Sequence, residues 1–102
     1  MDTGETYIKQ CARAEEIQKL QTFTQVWLPR QDQLQAMVLP LKDDDLGELH
    51  FDFNLFVEID CISKLGDYRL REYKSYEQLW LAFVMKELYH KKWDSEKEDW
   101  IG

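Results

Sequence analysis

Cysteine is scarce in this chain of 102 residues: Cys11 and Cys61 stand far apart, and no CxxC spacing occurs. That excludes a thiolate zinc cluster and favours free buried thiols in a reducing cytosol over a disulfide. Glycine is almost as rare, at 4 residues, and none sits in a phosphate-cradling loop; GxSxG and HExxH are absent too. Positive charge is in deficit, with 13 Lys and Arg against 20 Asp and Glu and a net charge of −7. The longest basic cluster, His90-Lys91-Lys92, is followed at once by Asp94, Glu96, Glu98 and Asp99. Direct nucleic-acid binding, which needs clustered cations to neutralise phosphates, is therefore disfavoured. The start MDTGETY has neither a basic region nor an apolar run, so no signal peptide is read and a cytoplasmic location is expected. The uninterrupted apolar run Leu79–Met85 falls far short of the ~20 residues a membrane span takes.

What is present is core material. The apolar fraction is 44%, and Trp, Tyr and Phe make up 14% of the chain, so disorder is not expected despite the charge. The length suits one domain over residues 1–102. Its organising stretch is Ser75–Trp93. Ser75 with Gln78 three residues on is a capping-box pattern, and Leu79–Met85 points apolar side chains in every direction. A helix buried on all sides is the expectation, with the remainder packed around it.

Ahead of it, residues 3–20 predict a helix with Asp2 or Thr3 as cap and Tyr7, Ile8, Cys11, Ala14 and Ile17 as its apolar stripe. Residues 22–28 are β-prone and predict a short strand or an extended connection. Pro29 then opens a short helix over about Arg30–Leu39, with Leu34, Met37, Val38 and Leu41 at helical spacing and Pro40 ending it. Lys42–Glu48 reads as an exposed acidic loop. From Leu49 to Cys61 every odd position is apolar, which is the period-two pattern of a strand with one wet face. With a turn at Ser63–Asp67 and a return over Tyr68–Tyr73, this predicts a β-hairpin under the central helix. The fold class expected is α+β; Leu46, Leu49, Phe53, Phe56 and Val57 also fit helical spacing, leaving an all-helical bundle as the alternative. The tail places Trp93 and Trp100 around the run DSEKED, either folded back on the core or exposed to a partner, with folding back preferred.

No catalytic signature emerges. Cys11 or Cys61 with His50 or His90 makes only a formal nucleophilic pair, and Cys61 lies on the core face of its expected strand. Asp43-Asp44-Asp45 with Glu48 lacks the spacing of a calcium loop, and Asp52, Glu58 and Asp60 read as one polar strand face. No cofactor and no metal is expected. The acidic balance suits a basic partner protein, although it also serves solubility. The residues assigned to such a partner are Asp43, Asp44, Asp45, Asp52, Glu58 and Asp60, together with Trp93, Asp94, Glu96, Glu98, Asp99 and Trp100.

Trp27-Leu28-Pro29-Arg30-Gln31-Asp32-Gln33-Leu34-Gln35 and Glu77-Gln78-Leu79-Trp80-Leu81-Ala82-Phe83-Val84-Met85 resemble segments of short proteins encoded in phages and prophages of Gram-positive bacteria. The stretches Tyr7–Gln18 and Trp93–Trp100 look like the same group. Members often have a longer β-rich stretch before the Trp-Leu-Pro-Arg segment, where this chain has only Gln21–Val26. The resemblance brings no catalytic or binding residue with it. It implies a non-catalytic accessory protein that binds a host protein, such as an anti-CRISPR or other anti-defence inhibitor occupying a basic nucleic-acid groove. A self-associating structural protein, with a homodimer, is the alternative.

Overall fold

The computed structural model describes residues 2–20, 26–58, 73 and 75–102. Among these, the chain runs through α1 (Glu5–Arg13), α2 (Glu15–Gln18), α3 (Gln31–Val38), a 3-10 turn (Leu39–Lys42), α4 (Leu46–Leu55) and α5 (Tyr76–Tyr89). It ends in two short strands, β1 (Lys92–Asp94) and β2 (Asp99–Ile101). The fold is α+β, with helices packed around α5 and one antiparallel hairpin that pairs Trp93 with Trp100.

Helix α5 is the centre of the core, as its all-round apolar sequence demands. Every side chain from Gln78 to Met85 is buried. Ser75 Oγ accepts from the Gln78 N–H at 3.2 Å, satisfying one free donor of the first turn. At the other end His90 adopts the left-handed conformation, φ 55°, and its N–H donates to Lys86 O at 3.1 Å, closing the helix. Helices α1 and α3 and strand β1 pack on α5. Helix α4 meets it through rings: Phe53 lies flat on Trp80, centroids 3.8 Å apart and 3° between planes, while Phe83 stands edge-on to both. Such pairs add about 0.5–1.5 kcal/mol each beyond the area they bury.

Over residues 49–58 the expected strand is not formed, and residues 59–61 lie outside the described residues; Leu46–Leu55 is helix α4, and one wider turn carries it on through residues 56–58. The hairpin is made instead by the tail. Two physical causes decide for the helix. Leu49, Phe53 and Phe56, at i, i+4 and i+7, are all buried, whereas Phe51, an odd-position residue meant for the core, is exposed. Asp45 then supplies a cap, its Oδ1 accepting from Gly47 N–H at 2.9 Å and Glu48 N–H at 3.2 Å. The Ser63–Asp67 turn and the return strand lie outside the described residues, apart from a buried Tyr73.

The first helix, expected over 3–20, breaks at Ala14 (ψ 71°) into α1 and α2, and Gly4 rather than Asp2 or Thr3 is its N-cap. Tyr7, Cys11, Ala14 and Ile17 are buried as a stripe; Ile8 is not. The second helix begins after Arg30 and passes into the 3-10 turn at Leu39, so Leu41 falls off the apolar face and is exposed. Pro29 lies just before the cap, buried, and its carbonyl accepts the Tyr7 hydroxyl at 2.6 Å. Of the β-prone stretch, residues 26–28 form an extended connection, with Gln18 Nε2 donating to Trp27 O (2.9 Å) and Trp27 N–H to Gln18 Oε1 (2.8 Å). Among the described residues no helix is long and apolar enough to cross a membrane.

Candidate protein-interaction surface

The expected acidic loop is shorter than Lys42–Glu48. Lys42 ends the 3-10 turn and Leu46–Glu48 is already the first turn of α4, leaving Asp43–Asp45 as the link. Asp43 and Asp44 are consecutive left-handed residues, φ 53° and 58°. A carboxylate side chain tolerates that conformation better than most, and the double turn folds the chain sharply back so that α4 packs on the 3-10 turn. Both side chains are exposed and take part in no ion pair. Asp45 is occupied as the α4 cap. Asp52 is occupied as well: Lys42 Nζ lies 2.7 Å from its Oδ2 and 3.9 Å from Glu87 Oε2, and the hydrogen bond that Lys42 donates to Asp52 holds its ammonium above the usual lysine range. Glu58 is exposed beyond the end of α4, and Asp60 lies outside the described residues.

The second acidic set is the hairpin turn. Asp94 Oδ1 accepts from Glu96 N–H (2.9 Å) and Lys97 N–H (3.2 Å), a local side-chain turn that reverses the chain. Glu98 takes the left-handed position that closes the reversal, φ 51°, and pairs with Lys9 on α1, Oε2 to Nζ 3.1 Å. Asp99 Oδ1 accepts the adjacent Trp100 N–H at 2.8 Å. Glu96 alone of this set extends into solvent with no bond or ion pair of its side chain.

Trp93 and Trp100 do not belong to an interface. They are 5% exposed each, tilt against one another at 5.2 Å, and Trp100 Nε1–H donates to Gln10 O at 2.9 Å. Their assignment as aromatic anchors is corrected: the large apolar area of an indole is worth more in this small core than on its surface, so the hairpin folds them onto α1 and α5. Among the described residues, the assigned carboxylates without an internal side-chain contact are Asp43, Asp44 and Glu58 around α4, and Glu96 on the hairpin.

Groups capable of chemistry are placed unfavourably for it. Cys11 is buried against Tyr7, and burial pushes its thiol up to about 12, so it stays a neutral thiol. His90 is spent on the helix stop, and His50 is an exposed residue whose ring stands 6.3 Å from that of Trp80. Among the described residues no three His, Cys, Asp or Glu side chains converge as a metal site. An open depression that sequence reasoning did not foresee lies between the N-terminal segment and the start of α5, lined by Asp2, Glu5, Thr6, Ser75 and Glu77. Its chief carboxylate is internally committed. Asp2 Oδ2 accepts from Ser75 Oγ (2.6 Å) and Gln78 Nε2 (2.9 Å), and its Oδ1 accepts from Gly4 N–H (2.7 Å). Burial alone would raise this carboxyl, but the three donors outweigh it and hold it below the usual aspartate range.

No protein-family model matches the chain, and no curated protein or solved structure matches it significantly.

Proposed function

We propose that this domain is a non-catalytic accessory protein of phage type that binds a basic host protein through an acidic surface, in the manner of an anti-CRISPR or other anti-defence inhibitor. The observation that carries the reading is the set of carboxylates left without internal work. Asp43 and Asp44 hold exposed left-handed positions in which their backbone N–H groups donate to Pro40 O and Leu39 O, while among the described residues their carboxylates, like those of Glu58 and Glu96, have no partner, in a chain of net charge −7. Uncompensated negative charge raises the encounter rate with a cationic groove and repels nucleic acid from the same face. The resemblance of the Trp27–Gln35 and Glu77–Met85 segments to phage-encoded proteins supports the same reading.

The test is affinity capture from a Gram-positive host lysate with the wild-type domain and with a D43K/D44K/E96K variant. Asp45 is spared because its loss would uncap α4. The reading expects a basic nucleic-acid-handling protein on the wild type, reduced at least tenfold on the variant. Equal recovery on both, or no such protein on either, would overturn it. A stable homodimer in sedimentation at low concentration would instead favour self-association.

A further inference from the structure

Helix α4 turns Leu49, Phe53 and Phe56 inward and leaves Phe51 on the opposite side, 63% exposed and the most exposed of the large apolar side chains among the described residues. Nothing in the core depends on this ring. Its neighbours along the helix are Glu48 at i−3, Gly47 at i−4 and Leu55 at i+4, the last half-buried. Gly47 has no side chain to shield the ring on its N-terminal flank, so another backbone can approach there. Glu48 is exposed beside it, and Asp44 and Glu58 flank the two ends of the helix. Lys42, the cation closest to this helix among the described residues, is already shared between Asp52 and Glu87.

We propose that this outward face of α4, with Phe51 as anchor, is where the partner docks, and that the partner offers an apolar pocket rimmed by lysine or arginine. The proposal rests on the acidic-surface reading above and supplies the aromatic anchor that Trp93 and Trp100, both buried, do not. Charge decides the occupant. A second copy would bring Glu48 and its flanking carboxylates against the same set, a like-charge contact in a protein of net charge −7. A cationic rim around an apolar pocket satisfies both features of the face at once, and interface energy concentrates in such a central aromatic with charged groups at the edge.

Two labelled peptides of equal charge test this by fluorescence anisotropy at low salt: an amphipathic leucine–lysine helix and a shorter oligolysine with the same number of lysines. Wild type is expected to bind the leucine–lysine peptide at least tenfold more tightly than oligolysine. Phe51→Ala should abolish that advantage and leave oligolysine binding as it was, with an unchanged urea midpoint because the ring is outside the core. E48K/E58K should weaken both peptides. If Phe51→Ala binds the leucine–lysine peptide as wild type does, the anchor is refuted while the acidic surface stands. If neither peptide binds, the acidic surface fails and the anchor with it. A wild-type dimer that Phe51→Ala dissolves would overturn the proposal in favour of a second copy.

Discussion

At the scale of the residue, the three aspartates between the 3-10 turn and α4 look equivalent in sequence and are not equivalent in structure. Asp45 accepts two backbone N–H groups, while Asp43 and Asp44 accept none and hold left-handed backbone. Removing a capping carboxylate costs about 1 kcal/mol, because first-turn amide donors lose their acceptor and the helix loses a favourable charge at its positive end. Asp45→Ala should therefore lower stability by about that amount in urea unfolding. Asp44→Gly should not lower it, since glycine enters the left-handed region without steric cost and nothing bonded is lost. The opposite order of the two variants would mean that the free carboxylate, and not the cap, holds the turn. The same division explains why charge reversal aimed at binding belongs on Asp43 and Asp44.

At the scale of the element, the start of α5 is held by the N-terminal segment of the chain. Asp2 reaches across to Ser75 Oγ and Gln78 Nε2, and its own N–H donates to Glu77 Oε1 at 2.8 Å, so the N-terminal segment is tied to the first turn of the central helix. The folded state holds the Asp2 carboxyl below its ordinary value of 3.8. A depressed carboxyl contributes stability that is present above the unfolded value and lost as pH falls through the folded one. Wild type should accordingly be more stable than Asp2→Ala in urea at pH 7 and at pH 5. The difference should shrink only as the pH drops below about 3.8; a constant difference down to pH 2 would show that the carboxylate charge has no part in the tie.

Helix α5 was also the most legible element, because seven successive apolar residues after a Ser-x-x-Gln start admit few other structures. Helix α4 was not. Its odd positions alternate perfectly, yet two of those apolar residues do not serve the core: Phe51 is exposed and Leu55 half-buried. Alternation counts apolar residues as inward-facing, and an exposed phenylalanine defeats it. What decided the conformation was the competing helical spacing of Leu49, Phe53 and Phe56 with the Asp45 cap, and the flat stacking of Phe53 on Trp80 adds a non-local contact that no period along the chain records. The tail hairpin was hidden for the opposite reason. Its strands are three residues each, too short for a period, and it is held by the Trp93–Trp100 pair and a bond to Gln10 ninety positions away. Of the acidic residues, sequence named the right types but could not separate those spent on caps, turns and ion pairs from those left free.

At the scale of the whole molecule, an aromatic core is joined to a chain of net charge −7 whose described surface includes carboxylates with no internal partner. The core has one purpose, to hold α4 and the hairpin at fixed positions on α5. Among the described residues, the carboxylates of Asp43, Asp44, Glu58 and Glu96 have no internal partner, and the proposal assigns them to a basic partner. Under the proposed function, such a face would compete with nucleic acid for a cationic groove, and the competition would weaken as salt screens both contacts. The most direct measurement is therefore displacement of labelled DNA or RNA from the captured host protein as the domain is added. The account predicts complete displacement by wild type at stoichiometric or modestly higher concentration, with D43K/D44K/E96K needing at least ten times as much. Nucleic acid that stays bound at saturating wild-type domain, or that is displaced equally well by the variant, would contradict it.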